Sequence, residues 1–433
     1  MNKILNLFRI PDLRYKIFIV LGLLIVFRIF AAVPIPGVDS GALAAFFGSS
    51  QLLGFLNIFS GGGLGRLSIA MLGVGPYITA TIIMQLLTMI FPQLKKLYYE
   101  EGAQGRAKFN RISRYLTVPL AALQGYGFLN LLMAQNVLPG LERISFEMLA
   151  NVLIVTAGTM VLVWIGELIT EQKIGNGISL IIFAGIISSL PQTIGQIGSQ
   201  YFSAGGFTIS PDFPTHLMFI AVSLVVIAGV VFIQQGERKI PVSYARRVRG
   251  NKIYGGVASY LPLKVNQAGV IPIIFAISIL LFPQFFAQII AAIISPELGA
   301  RVDDLVNRFL ANQLLYGSLY FILVVAFTYF YTAVTFDPQE ISKNLQKSGG
   351  FIPGIRPGES TGTFLSKIIN RITLFGAFFL GSIAILPIAM QSITGSQALT
   401  VGGTSLLIVV AVALETMNQL DSQLTIREYE GIK

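Results

Sequence analysis

The feature that most constrains this chain is a recurrence of apolar runs of about twenty residues, each long enough to cross a bilayer as a helix. Ten occur, at 15–33, 68–91, 115–135, 149–170, 178–197, 216–233, 265–293, 315–336, 368–390 and 401–420. Hydrocarbon offers the backbone no hydrogen-bond partners, so such runs close their bonds internally. Of 433 residues 54% are hydrophobic and only 12% charged, against roughly 25% charged in soluble domains. The expected fold is therefore an all-α polytopic membrane protein. Cysteine is absent and His216 is the single histidine, which excludes disulfides, thiolate chemistry and multi-histidine metal sites. The first run follows Lys3, Arg9, Arg14 and Lys16 and ends at Val33 without an Ala-x-Ala site, so it reads as a retained span.

Charge supports the count. Assigning loops to alternate sides gives one side the amino terminus, then Lys95, Lys96, Arg106, Lys108, Arg111 and Arg114, then Lys173, then Arg238 to Lys264, then Lys343 to Arg371, and the tail. The other side holds only Arg66, Arg143, Arg301 and Arg308 among seven acidic residues. One missed span would scramble this pattern, and the positive-inside rule makes both termini cytoplasmic. Ten spans divide into two sets of five, and an odd number forces the second set to enter from the opposite face, as in an inverted repeat. The expected organisation is an amino-terminal half at 1–197, an external glycine-rich hinge at 198–214, a carboxy-terminal half at 215–422 and a tail at 423–433.

Two basic cytoplasmic loops, 234–264 and 337–367, are far longer than the 2–8 residues or so that helix-to-helix turns need. Such charges can hold anionic headgroups. The aromatic and prolyl residues in KIPVSYARRVRG and GGFIPGIRPGES point instead to a structured docking surface.

Within the bilayer, the stretch FLNIFSGGGLGRLSIAMLGVGPYITATIIMQLL begins with a half-length apolar segment that Ser60, Gly61, Gly62 and Gly63 interrupt. A full span follows, in which Val74, Ile78 and Ile82 share one helical face. Ile274 and Ile408 lie at depths comparable to Ile78, but aliphatic residues at mid-span usually face lipid or a packed core, so spacing alone does not make them a pore lining. Thr79, Thr81, Gln85 and Thr88 in the second span, with Asn266 and Gln267 opening the seventh, would make a polar seam if those helices adjoin. Charges in spans are confined to Arg28, Glu167 and Glu415, each near an end, where snorkelling or pairing lowers the cost of about 2.5–3.5 kcal/mol at mid-membrane. No central carboxylate cluster exists to couple a secondary transporter of small solutes, the alternative reading, or to serve an intramembrane enzyme.

These residues carry a close resemblance to the SecY family, the channel subunit of the bacterial protein-secretion translocon, from about Ile10 to Leu420. The stretches concerned are PIPGVD at Pro34, FSGGGLGRLSI at Phe59, LGVGPYITATIIMQLLT at Leu72, EGAQGRAKFN at Glu101, KIGNGISLIIFAGI at Lys173, LPLKVNQAGVIPIIFA at Leu261, SGGFIPGIRPGEST at Ser348 and GGTSLLIVV at Gly402. The resemblance implies two inverted five-helix halves around a central pore, conducting unfolded secretory polypeptides across the plasma membrane and releasing transmembrane segments sideways into lipid. It implies a plug at about 52–66, including Phe55, Asn57, Phe59, Ser60, Gly61, Gly62 and Arg66. The pore ring it implies is Val74, Ile78, Ile182, Ile274 and Ile408. Ile182 lies nearer the cytoplasmic end of its span than the others, so its place rests on the resemblance.

The second and seventh spans, with the third and eighth, would form a lateral gate carrying Ile82, Gln85, Thr88, Ile277 and Phe282. Arg246, Arg247 and Arg356 would dock the SecA motor or the ribosome. SecE and SecG are the implied companion subunits. No cofactor is implied, and no nucleotide-binding motif occurs, so energy would come from a partner or the membrane potential.

Overall fold

The computed structural model describes residues 10–36, 43, 57, 60, 62–134, 137–139, 141, 145–203, 206–207, 213–244, 247–249, 252–254, 258–293, 295–394 and 397–430. Each of the ten expected spans coincides with a helix. In the first half these are α1 (Pro11–Phe30), α2 (Gly75–Ile90), α4 (Gly102–Ala134), α5 (Phe146–Glu171) and α6 (Gly177–Tyr201). In the second they are α7 (Phe213–Gln235), α8 (Ile271–Ile293), α10 (Gln313–Thr335), α12 (Glu359–Thr394) and α13 (Gln397–Glu430). Among the described residues, five helices are long and apolar enough to span by themselves, and six if α2 is joined to the helix after it.

Local chemistry sets the helix ends. Ser145 caps α5 by accepting from Met148 N at 3.1 Å, and Asn312 caps α10 by accepting from Leu314 N and Leu315 N. Each satisfies amides that the first turn leaves unpaired. The second span begins later than its hydropathy, at Gly75. Residues 67–74 form successive turns, with Leu67 at φ 42° and Gly73 at φ 57°. It ends at Phe91, where Pro92 opens a short helix, α3 (Pro92–Tyr99), bent 116° from α2. Two further helices lie outside the expected spans: α9 (Pro296–Ala311) and α11 (Pro338–Lys347). The last span runs on as helix into the expected tail, reaching Glu430.

The loop at 234–264 is built of strands, and the loop at 337–367 joins α11 to α12 through one short strand. Strand β3 (Glu237–Tyr244) pairs antiparallel with β6 (Ala258–Lys264), Glu237 opposite Lys264, and β7 (Gly350–Phe351) adds to the free edge of β3. Beyond them, β4 (Arg247–Arg249) pairs with β5 (Lys252–Tyr254). With β4 and β5 forming a separate sheet, the two basic loops thus meet in one three-stranded sheet, β6–β3–β7. Ile240, Val242 and Leu263 on it bury against Ile352, Leu365, Ile368 and Ile369. In the expected hinge, β1 (Phe202–Ser203) and β2 (Gly206–Phe207) form a two-residue ladder.

Two apolar clusters organise the helical body. The larger joins α1, α2, α5, α6, α7, α8, α10, α12 and α13. The smaller gathers Ile35, Leu64, Leu67 and Met71 against the end of α4 and the start of α5. The turns before α2 bridge them, since Ala70 and Val74 belong to the first. Gly158 explains how those turns approach α5. A Cβ there would stand 2.0 Å from Ile69 O, so only glycine admits the backbone.

Candidate functional site

Val74 precedes the first turn of α2, and its carbonyl accepts from Ile78 N at 3.1 Å. One turn later comes Ile82, so the three present a single stripe. That stripe, Ile182 of α6, Ile274 and Ile277 of α8 and Ile408 of α13 all belong to the larger apolar cluster. None of Val74, Ile78, Ile182, Ile274 and Ile408 is more than 7% exposed. Two of the contributing helices belong to each half. Within them, the second spans of the halves (α2, α8) and the fifth (α6, α13) correspond, which is the pairing that an inverted repeat produces.

Ile78, Ile182 and Ile274 also line an open cavity of about 560 Å³. Its remaining wall mixes apolar Ile178, Ile271 and Phe275 with polar Tyr77, Thr81, Asn110, Asn176 and Glu171. At the rim Arg114 Nη1 donates to Glu167 Oε2 at 2.7 Å, tying α4 to α5. This pairing accounts for the carboxylate near the end of α5. Val74 and Ile408 lie buried beyond the cavity lining. Ile182, five residues into α6, belongs to the cluster and also lines the cavity.

The seam between α2 and α8 differs from its sequence reading. The helices do pack together, and α8 also packs on α4. Most α2 hydroxyls, however, turn back into their own helix: Thr79 Oγ1 donates to Gly75 O, Thr81 Oγ1 to Tyr77 O and Thr88 Oγ1 to Gln85 O. Gln85 is the polar side chain left. It is buried, lines the cavity, and its Oε1 has no partner among the described residues. Asn266 faces elsewhere, donating to Gln234 Oε1 at the end of α7 and to Gly269 O, each at 3.0 Å. Ile82 and Ile277 are both buried at the seam's centre. Phe282 lies on α8, but its side chain is outside the described residues.

Of the expected plug at 52–66, residues 52–56, 58, 59 and 61 lie outside the described residues, among them Phe55, Phe59 and Gly61. The rest forms a hydrogen-bonded turn that sequence reading did not anticipate. Asn57 Oδ1 accepts from Gly65 N at 2.7 Å, Asn57 O accepts from Gly62 N at 2.8 Å, and Ser60 Oγ accepts from Leu64 N at 2.9 Å. Gly62 takes φ 81°. A Cβ on it would lie 3.9 Å from Arg28 Nη1, so this turn sits beside the cation near the end of α1. Arg66 is exposed.

At the basic loops, Arg356 is exposed between Gly354 and Gly358, both in the left-handed region. Its carbonyl accepts from Thr361 Oγ1 at 2.9 Å, and Ser342 Oγ donates to Gly358 O, which fastens the turn to α11. No carboxylate pairs with Arg356 among the described residues. Arg247 stands on β4 opposite Tyr254, its side chain outside the described residues, as is Arg246 altogether. His216 meets the Tyr201 hydroxyl at 2.8 Å. Among the described residues no three metal-binding side chains converge.

A family model described as SecY matches residues 68–417. The chain is 43% identical to a protein translocase subunit SecY of Streptomyces scabiei over 441 residues, covering 98% of each. It is 42% identical to that of Thermotoga maritima over 437 residues, covering 98% of this chain and 96% of the relative. Among solved structures it resembles a SecY protein studied for its plug domain (TM-score 0.62, 19% identity, 92% of this chain and 89% of the other). It also resembles a protein-conducting channel (TM-score 0.58, 18% identity, 94% and 91%). The identity over nearly the whole length and the shared helical architecture carry one conclusion: the chain belongs to the SecY family.

Proposed function

We propose that this multi-pass membrane protein is the protein-conducting channel of a translocase, passing unfolded polypeptides through the cluster formed by Val74, Ile78, Ile182, Ile274 and Ile408. The observation that carries the reading is that these aliphatic side chains, from both halves, are buried in one apolar core and that three of them, Ile78, Ile182 and Ile274, line the same open cavity. An apolar constriction dewets and bars ions, while aliphatic side chains adapt to whatever residue passes. Residues 52–66 act as the plug. The α2–α8 seam, where Gln85 is buried without a partner, acts as the lateral gate, because an unsatisfied polar group weakens a closed packing surface.

The cavity faces the cytoplasm of a bacterial plasma membrane, where both termini lie by the distribution of Lys and Arg. The joined sheet of the two basic loops, with Arg356 at its side, docks a SecA-type motor or a ribosome. The solved canine Sec61 resembling this chain comes from a ribosome-channel complex (TM-score 0.54). SecE and SecG complete the assembly, and the chain itself is a conduit without catalysis.

The test is reconstitution into vesicles with the companion subunits and motor. Export of an unfolded reporter with no uptake of small solutes supports the reading. Saturable solute uptake without polypeptide movement would overturn it in favour of a transporter.

A further inference from the structure

Helix α9 (Pro296–Ala311) takes no part in the vestibule that Ile78, Ile182 and Ile274 line. It stands between two spans and is fastened to both. Residues 294–295 alone connect it to α8, where Ser295 N donates to Ile290 O at 3.1 Å and Ser295 Oγ accepts from Leu298 N at 3.3 Å. Asn312 alone connects it to α10: its N–H donates to Phe309 O at 3.3 Å, and its carbonyl accepts from Tyr316 N at 2.9 Å. Links so short hold each end of α9 within about 11 Å of a span, which keeps the helix at the membrane boundary.

Its side chains are sorted around the axis. Leu298 and Leu305 stand two turns apart on one face, and both are exposed, at 48% and 70%. Counting about 100° per residue, buried Gly299 and Val306 lie about 80–100° to one side of that face, the side on which α9 packs against the helical body. On the other side come exposed Arg301 and Arg308 at about 60–80°, then exposed Glu297 and Asp304 at about 100–120°. Apolar, then basic, then acidic is the order met in passing from acyl chains through phosphates to water. Arg308 Nη2 pairs with Asp304 Oδ2 at 2.8 Å, and a guanidinium with five N–H donors retains others for a phosphate. Leu314 and Leu315, in the first turn of α10, are exposed as well, so apolar surface runs on along the chain from α9 into the span.

We infer that α9 lies in the outer interface of the bilayer, with Leu298 and Leu305 among the acyl chains and Arg301 and Arg308 on phospholipid phosphates, and so anchors the Ile293 end of α8 to that leaflet. The side follows from the charge distribution, which sets this segment opposite the basic loops. The inference needs α8 and α10 to be spans and does not depend on what the channel conducts. Its consequence is that one wall of the α2–α8 seam is tethered to lipid at its far end.

The absence of cysteine in the chain permits a direct experiment on the assembled translocase in phosphatidylglycerol–phosphatidylcholine vesicles. Leu305→Cys, Glu297→Cys and, as a lipid-facing control on a span, Phe232→Cys are each labelled with a nitrobenzoxadiazole fluorophore. Spin-labelled acyl chains are expected to quench the Leu305→Cys and Phe232→Cys labels at least threefold, while aqueous iodide quenches only the Glu297→Cys label. Adding Arg301→Gln and Arg308→Gln should lower the acyl-chain quenching at Leu305→Cys about twofold and leave Phe232→Cys unchanged. Iodide quenching at Leu305→Cys, with Phe232→Cys still quenched by lipid, overturns the inference and spares the spans. So does a Leu305→Cys label shielded from both quenchers, which would mark a protein partner on this face. Quenching that ignores the two arginine substitutions would overturn the phosphate contact. Loss of lipid quenching at both Leu305→Cys and Phe232→Cys would overturn the membrane reading with it.

Discussion

Arg114 and Glu167, 53 positions apart, meet at 2.7 Å where α4 crosses α5 on the rim of the vestibule. Their side chains keep 38% and 29% of their exposure, so solvent screens the pair and its contribution is modest. In a double-mutant cycle with Arg114→Gln and Glu167→Gln, each single substitution should cost about 0.5–1 kcal/mol, and the double should cost less than the sum. Thermal unfolding in detergent reads the effect. Strict additivity would show that the two charges do not sense each other.

The turns before α2 rest on α5 at Gly158, where any Cβ meets Ile69 O. Gly158→Ala should therefore destabilise by about 1–3 kcal/mol, as overpacking does in a dense interior. Gly195→Ala is the control, since no atom lies within 4 Å of its added Cβ. Equal melting temperatures for the two variants would remove the close approach from the account.

Much of this fold is legible in the sequence because its signals are local. Apolar runs mark each helix, and the four-residue spacing of Val74, Ile78 and Ile82 marks their common face. What escapes is long-range. Nothing near Glu167 announces Arg114, and nothing around Asn266 tells that it turns to Gln234 on α7 rather than to the α2 seam. The sheet was available to a closer reading: KIPVSY alternates exposed Lys239 and Pro241 with buried Ile240 and Val242, the period of a strand. A window tuned to twenty-residue helices passes over so short an alternation. That Ile182, Ile274 and Ile408 join the α2 stripe in a ring is implied by family resemblance alone, since four separate helices share no sequence period.

Arg356 is held outward by a turn with two left-handed glycines and has no acidic partner among the described residues. Arg356→Glu should weaken motor or ribosome binding on the order of tenfold at low salt, with the difference shrinking as salt rises. Co-sedimentation with proteoliposomes measures it. Undiminished binding across the salt series would separate this turn from docking.

Ile408 is buried in the central cluster yet lies away from the vestibule lining. Ile408→Asn places a hydrogen-bonding side chain where the constriction must stay dry. Single-channel conductance of the resting assembly should rise on the order of tenfold, about 1.4 kcal/mol off the ion barrier. Unchanged conductance would remove Ile408 from the constriction.

The central claim is that a polypeptide in transit touches the aliphatic cluster, and crosslinking from inside it is the most direct measurement. Single cysteines replace Ile78, Ile274 and, as an exposed control, Phe232, which is 77% exposed on α7. An arrested secretory chain should crosslink to Ile78→Cys and Ile274→Cys and not to Phe232→Cys. Crosslinks from Phe232→Cys alone would contradict the pore.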